Sequence, residues 1–265
     1  MAGQDRSVTA DPRSLKEINR AHYDALHPGQ RDYWRWMAAP RARVRAVLAA
    51  LAESPPSALV DLGCGDGTLL RAIGRRFPGL VRAGVDLAAA QIEENRRNDP
   101  AVEWRAFDLD ASTPASVPGR GAFDAVVACE VIEHVESPRR FLENARALAA
   151  PGGRLVLTTQ SGRVHATERR VGHRRHFTVQ EMTELLVAAG WRPERVWNEG
   201  FPFHDASKAL ANLWPSAVLK AFGEKPYTLF QKSVCAVLAV LFAFNSRRRG
   251  AQLYALARNP PASGA

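Results

Sequence analysis

Cysteine is scarce: the 265 residues hold three, Cys64, Cys129 and Cys235, and no two stand at CxxC spacing. That excludes a disulfide framework and a structural zinc cluster, and a cytoplasmic setting is the expectation. No apolar run reaches the ~20 residues of a membrane span. The opening stretch, MAGQDRSVTADPRS, mixes charged and small polar residues and lacks the apolar segment of a secretory signal. Walker loop, GxSxG elbow and HExxH helix are also missing, and with them the usual signs of phosphoryl transfer, serine hydrolysis and zinc proteolysis. Lysine is rare as well. Only Lys16, Lys208, Lys220, Lys225 and Lys232 stand among 36 basic residues, so arginine carries most of the net charge of +9. The arginines are scattered in pairs and accompany no aromatic RNA-binding run, so nucleic acid is not an expected partner.

What is present is a composition of 46% hydrophobic and 24% charged residues, that of a soluble globular chain, and a clear alternation of patterns. Ser14 and Glu17 form a capping box that opens a helix to about His27, where Pro28-Gly29 ends it. A second helix, Arg41 to Glu53, places Val44, Val47, Leu48 and Leu51 on one face and arginines on the other. From Ala58, short apolar runs (SALVDL, VRAGVDL, VEWRAFDL) alternate with helical stretches (TLLRAIGRRF, AAQIEENRRN). That is the βαβαβ signature of an α/β fold with a parallel sheet, since parallel strands need crossover helices. Phe123 to Cys129 continues as a strand and Pro138 to Ala150 as a helix. The turn signal Pro151-Gly152-Gly153 leads to a strand from Arg154 to Thr159. A helix from Thr178 to Ala189, closed by Gly190, precedes two late strands, Arg195 to Trp197 and Ala251 to Ala257.

About fifty residues between those late strands are not needed by the sheet. They include SVCAVLAVLFAFNS, uncharged from Ser233 to Ser246, followed by Arg247, Arg248 and Arg249. This run is too short to cross a bilayer. Its expected uses are a buried lid or homodimer helix, or a surface across 229–249 that holds a lipidic substrate or rests on a membrane.

The chemistry concentrates where strands end. SALVDL runs into Gly63-Cys64-Gly65-Asp66-Gly67 and then into a helix beginning at Thr68. Glycine allows a backbone to approach a ligand closely and to take positive φ. The spacing is GxGxG, and Asp61 and Asp66 bring two carboxylates to a place where a dinucleotide pyrophosphate favours none. A ligand that carries positive charge fits better, and S-adenosylmethionine has a sulfonium, an α-amino group and no phosphate. Asp86 ends the second strand, where a carboxylate can accept from both ribose hydroxyls, with Leu87 beside it. Asp108 and Leu109 end the third, as a carboxylate for an adenine amino group and an apolar surface for its ring.

As a set these residues resemble the class I S-adenosylmethionine-dependent methyltransferases. VDLGCGDG (Val60 to Gly67), GVDL (Gly84 to Leu87), FDLD (Phe107 to Asp110), FDAVVACEVIEHV (Phe123 to Val135) and LAAPGGRLVLTT (Leu148 to Thr159) carry the likeness. It covers about residues 45 to 199 plus the strand GAQLYALARN. It implies a Rossmann-like seven-stranded sheet whose final hairpin is antiparallel, and S-adenosylmethionine bound by Asp61, Gly63, Cys64, Gly65, Asp66, Gly67, Asp86, Leu87, Asp108, Leu109 and Glu130. CEVIEHV is similar to the ubiquinone-pathway O-methyltransferases and the small-RNA terminal 2′-O-methyltransferases. In those families a Glu-x-x-Glu-His cluster with a later histidine accompanies a divalent metal such as magnesium. The resemblance puts Glu130, Glu133 and His134 forward as metal ligands, and His134, His173 and His176 as catalytic groups.

The expected organisation is an N-terminal helical cap (1–44), a cofactor-binding core (45–199), a helical insertion serving the acceptor pocket or a membrane (200–249), and the last strand and tail (250–265). Tyr23, Tyr33, Trp34 and Trp36 would fold over the cofactor or pack the cap on the sheet. The expected activity is methylation of a hydroxyl on a small-molecule or lipid-linked acceptor. The alternatives are RNA terminal 2′-O-methylation and a non-catalytic cofactor-binding protein.

Overall fold

The computed structural model of the chain describes residues 35–222 and 226–261. The helix expected from Ser14 to His27 lies outside the described residues, as do Tyr23, Tyr33 and Trp34. Trp36 is described, and its ring lies under Arg35 and Lys232.

The element order is α1 (Ala38–Glu53), β1 (Ala58–Leu62), α2 (Thr68–Arg76), β2 (Val81–Asp86), α3 (Ala89–Asn98), β3 (Glu103–Ala106), β4 (Phe123–Cys129), α4 (Pro138–Leu148), β5 (Ala149–Gln160), α5 (Ala166–Arg170), α6 (Val179–Ala188), β6 (Arg192–Glu199), α7 (Phe203–Leu213), α8 (Pro215–Phe222), α9 (Leu229–Phe242) and β7 (Gln252–Arg258). The strands form one seven-stranded sheet in the order β3-β2-β1-β4-β5-β7-β6. β1 to β5 are parallel, and β7 runs antiparallel between β5 and β6. β6 and β7 pair across the three helices that separate them in sequence, as the Rossmann-like expectation requires.

Strand pleating explains why the inner strands read as continuous apolar runs. Val60, Leu62, Val126, Ala128, Leu155 and Leu157 face one core, shared with Leu142 and Leu148 of α4 and Leu186 of α6. Their neighbours Leu59, Ala125, Val127 and Val156 face the other, against Val47 and Leu51 of α1 and Ile73 of α2. Each face is covered, so alternate residues are all buried, and truncating one of them, such as Leu157, costs ~2–5 kcal/mol.

Three details differ from the sequence reading. α1 starts at Ala38 and does not turn all its arginines outward: Arg43 shares its buried face with Val47, Ala50 and Leu51. α4 stops at Leu148 and β5 begins at once, with Ala149 opposite Phe123. Pro151-Gly152-Gly153 is therefore an irregularity within a long strand, where pairing jumps from Phe123–Ala149 to Ala125–Arg154. Its backbone groups are satisfied by Asn259, whose carbonyl accepts from Gly152 N–H (2.9 Å) and whose N–H donates to Gly153 (2.8 Å). β6, Arg192–Glu199, is longer than the expected Arg195 to Trp197 because RPERVWNE is a polar edge strand that shows no apolar alternation, whereas β7 keeps its expected length one residue further on.

Candidate active site

The strand order reverses between β1 and β4, so a crevice forms outside the carboxyl ends of the parallel strands. The glycine loop hangs over it. The N–H groups of Gly63 (2.7 Å) and Cys64 (3.1 Å) donate to the Val85 carbonyl, which ties the loop to β2. Gly63 and Gly65 both take left-handed backbone, φ 69 and 50. They differ in surroundings. A Cβ on Gly63 would stand 2.3 Å from a Val131 methyl, whereas nothing lies within 4 Å of one on Gly65. Packing therefore demands the first glycine, and the second faces open space where a ligand can approach the backbone.

Acids gather under this loop. Asp61 is buried at the end of β1, and no hydrogen-bond donor among the described residues reaches its carboxylate. Burial, then the charges of Asp86 and Asp66, push its pKa well above the ordinary carboxylate range. A buried carboxyl with no donor among the described residues, beside two further acids, is a place where a positively charged ligand is favoured. Asp86 Oδ2 accepts from Gly65 N–H (2.9 Å) and Oδ1 from Ala88 N–H (2.9 Å). Each oxygen retains a lone pair, so Asp86 can brace the loop and accept from a ribose together. Asp66 is turned aside to the start of α2: it accepts from Thr68 N–H and hydroxyl, each at 2.9 Å, and lies 3.9 Å from Arg71. Cys64 is buried among core residues, and burial raises its thiol pKa, so it meets the crevice through its backbone. Leu87 is half-buried just past β2.

The third strand end is also locally committed. Asp108 Oδ1 accepts from Asp110 N–H (2.9 Å) and Ala111 N–H (3.0 Å), and Leu109 packs into the core. Asp110, passed over in the sequence, locks this loop to the one after β4 by accepting from Glu136 and Ser137 N–H, each at 2.7 Å.

Glu130 ends β4 with φ 59, the one non-glycine residue of positive φ among the described residues. Such a backbone costs ~1–3 kcal/mol, so surrounding contacts must hold it. They do: its carboxylate accepts from Thr158 Oγ1 (3.0 Å), Gln160 Nε2 (2.6 Å) and Gln252 Nε2 (2.8 Å), and Arg43 stands 3.8 Å away. Burial works to raise its pKa, but Arg43 and these donors outweigh burial and hold it below the usual value. Glu130 is thus a satisfied anion.

Glu133 is different. It is fully buried, accepts from Thr159 Oγ1 (2.7 Å) through one oxygen, and has no partner among the described residues for the other. Burial, then the charge of Glu130, push its pKa up to about 8. Glu133, His134 and His173 present ligand atoms that all lie within 4.8 Å of one another. The expected ligand trio of Glu130, Glu133 and His134 is not the one gathered: Glu130 is taken up by its own donors, and His173 stands in its place. His173 meets His134 edge-on with ring centroids 4.7 Å apart, and its Nδ1 lies 3.0 Å from His176 Nε2. Burial, with the neighbouring His134 and His176, pushes the His173 pKa down to about 3, so its ring is neutral. Behind His176 stand Glu168 at 3.8 Å and Lys208, whose amine lies 2.9 Å from Glu168 and donates to Gln160 (3.0 Å).

Sequence reasoning missed Arg43, Gln160, Glu168, Lys208 and Gln252. Arg43 alone carried a signal, since its spacing to Val47 and Ala50 puts a charge on the apolar stripe of α1. The others act through pairings of 30 to 122 positions that no local pattern announces.

A family model described as a methyltransferase domain matches residues 33–196. The chain belongs to the class I S-adenosylmethionine-dependent methyltransferases. It is 31% identical to trans-aconitate 2-methyltransferase of Paracidovorax citrulli over 146 residues, 55% of this chain and 51% of that one. It is 29% identical to a ubiquinone biosynthesis O-methyltransferase of Coxiella burnetii over 105 residues, 38% of this chain and 42% of that one. The chain spans about half the length of the curated relatives it matches. In structure it resembles 1,6-didemethyltoxoflavin-N1-methyltransferase of Burkholderia thailandensis, with TM-score 0.58 and 19% identity over 98% of each chain. The crevice fits the family's cofactor on two counts: Gly65 leaves open space beside the loop, and the buried Asp61 carboxyl, with no donor among the described residues, favours positive charge.

Proposed function

We propose that the chain transfers a methyl group from S-adenosylmethionine to a hydroxyl of a small-molecule or lipid-linked acceptor, with Glu133, His134 and His173 holding a divalent cation beside that hydroxyl. The observation that carries this reading is the buried, partnerless oxygen of Glu133 next to two imidazoles, one held neutral. Neutral imidazole and carboxylate are the forms that ligate magnesium or a transition ion, and they make a mixed oxygen and nitrogen set. A bound divalent ion supplies Lewis acidity that lowers the pKa of a coordinated hydroxyl.

The chain's own residues do the rest. Asp61 meets the positive charge of the cofactor under the glycine loop, Asp86 accepts from the ribose, and Asp108 stands at the adenine end of the crevice while Leu109 supports that loop from the core. Glu130 stays ionised and fixed, a positioning residue at the mouth of β4. His176, backed by Glu168 and Lys208, orients His173 through its 3.0 Å contact. Methyl transfer is an in-line displacement on an already activated carbon, so alignment and exclusion of water are the enzyme's main tasks. The Coxiella burnetii relative is named an O-methyltransferase, which supports oxygen as acceptor, while the structural neighbour is named an N1-methyltransferase, so the fold alone does not carry the choice.

Manganese titration followed by electron paramagnetic resonance tests the cation site without need of an acceptor. One bound ion in the wild type, lost in Glu133→Gln, supports the reading. A wild type that binds none, or turnover that persists in chelator, removes the metal and leaves Glu133, whose pKa is raised to about 8, as the proton acceptor.

A further inference from the structure

The insertion between β6 and β7 exposes what the rest of the surface hides. In α9 the inward stripe is Cys235, Ala239 and Phe242, and α9 packs through it and Leu238 onto α1. The outward stripe is Leu229, Phe230, Ser233, Val237, Val240 and Phe244, without one charge. Leu229 and Phe230 are 83% and 78% exposed, and Phe244 just past the helix is 72% exposed. α7 repeats the pattern. Ala206, Ala209, Leu210, Leu213 and Trp214 recur at helical spacing on its outer side, and Leu213 is 68% exposed. A solvent-facing helix stripe is ordinarily polar. Outside the segment 201–244, only Val81 and Val187 among the described residues are comparably exposed large apolar side chains.

Charge says what covers this face. The segment 200–249 holds seven basic residues against two acidic ones, and four of the chain's five lysines. Arg247, Arg248 and Arg249 stand exposed where α9 ends, beyond Phe244. An uncharged helix stripe bordered by cations is complementary to an anionic lipid surface, with side chains among the acyl chains and cations at the headgroups. No described helix is long and apolar enough to cross a membrane. The 14 residues of α9 extend about 21 Å, short of the ~30 Å hydrocarbon core, so the helix would lie in the plane of the interface.

We propose that the outer stripes of α7 and α9, with Arg247 to Arg249, form a docking face for an anionic phospholipid bilayer. The same α7 sends Lys208 inward to Glu168 and Gln160. Docking therefore places the acceptor side of the crevice next to the lipid.

Co-sedimentation of the full chain with large unilamellar vesicles tests this without reference to methyl transfer. Binding is expected to be at least ~tenfold tighter to phosphatidylcholine vesicles containing about 30% phosphatidylglycerol than to phosphatidylcholine alone. Phe230→Gln/Val237→Gln/Val240→Gln leaves the charge unchanged and should weaken binding at least ~tenfold, with the wild-type thermal melt retained because all three side chains are exposed. Arg247→Ala/Arg248→Ala/Arg249→Ala should remove the anionic preference. Undiminished binding by the triple glutamine variant would mean that net charge alone attracts the vesicles, and would overturn the proposal. So would a wild type that ignores vesicles but forms a dimer which the same variant dissociates, since the occupant would then be a second copy.

Discussion

The two halves of the crevice are held in different ways. At the ends of β1, β2 and β3, carboxylates are fixed chiefly by backbone N–H groups: Asp86 by Gly65 and Ala88, Asp66 by Thr68, Asp108 by Asp110 and Ala111. At the end of β4 Glu130 is fixed by side chains of other strands, Thr158, Gln160 and Gln252, and on α5 Glu168 is held by Lys208 from the insertion together with the nearby His165 N–H. The first half is a rigid socket made from turns. The second is a network that joins the sheet, the 161–178 loop and the insertion. A fold reused for many acceptors keeps the socket and varies the network.

That contrast can be broken from either side, and the largest effect is expected in the socket. Gly65→Val inserts a branched side chain into open space where the ligand approaches, at a backbone of φ 50. S-adenosylmethionine affinity should fall at least ~100-fold, about 2.7 kcal/mol, as read by calorimetry. Manganese binding by Glu133, His134 and His173 should be retained.

The reverse experiment comes next. Glu133→Gln should lower the methyl-transfer rate ~100-fold while cofactor affinity stays within about twofold, because only the network is touched. Loss of cofactor binding in that variant would show that the two halves are not separable.

Socket and network also differ in how much of each is legible in the sequence. GxGxG, Asp61, Asp86 and Asp108 lie at successive strand ends, and local spacing is enough to place them because their partners are mostly a few residues away. The fold was readable for the same reason, since apolar runs alternate with amphipathic helices from Ala58 to Gln160. Roles within the socket were less so: Asp66 caps α2, and Cys64 and Leu109 belong to the core. In the network, CEVIEHV and GHRRHFT flagged Glu133, His134, His173 and His176, but not which of them converge. Substituting His173 for Glu130 in the ligand trio depends on Gln252 reaching 122 positions back to occupy Glu130, a contact set by the antiparallel β7. The polar β6 and the apolar outer stripes of the insertion violate the patterns on which such reading relies.

A smaller effect, near tenfold, concerns pH. The Asp61 pKa is raised in the free protein, so between the ordinary carboxylate value and that raised value the group is protonated without cofactor. A cationic ligand lowers it, so binding expels a proton and affinity should rise with pH through this window. Calorimetry in buffers of different ionisation enthalpy reads the released proton, and Asp61→Asn should abolish both the release and the pH dependence. The smallest effect is expected for Lys208→Met, which removes the outermost link behind His176. Acceptor KM should rise about threefold with cofactor affinity unchanged, and a chloride-independent KM would argue against an ionic role for the Lys208–Glu168 pair.

The glycine loop and its acids should accept a positively charged nucleoside and not a diphosphate. Calorimetric titration of the wild-type chain with S-adenosylmethionine and, separately, with NAD distinguishes the two. One S-adenosylmethionine per chain, with no saturable NAD binding, is the predicted result; tighter binding of NAD would contradict it.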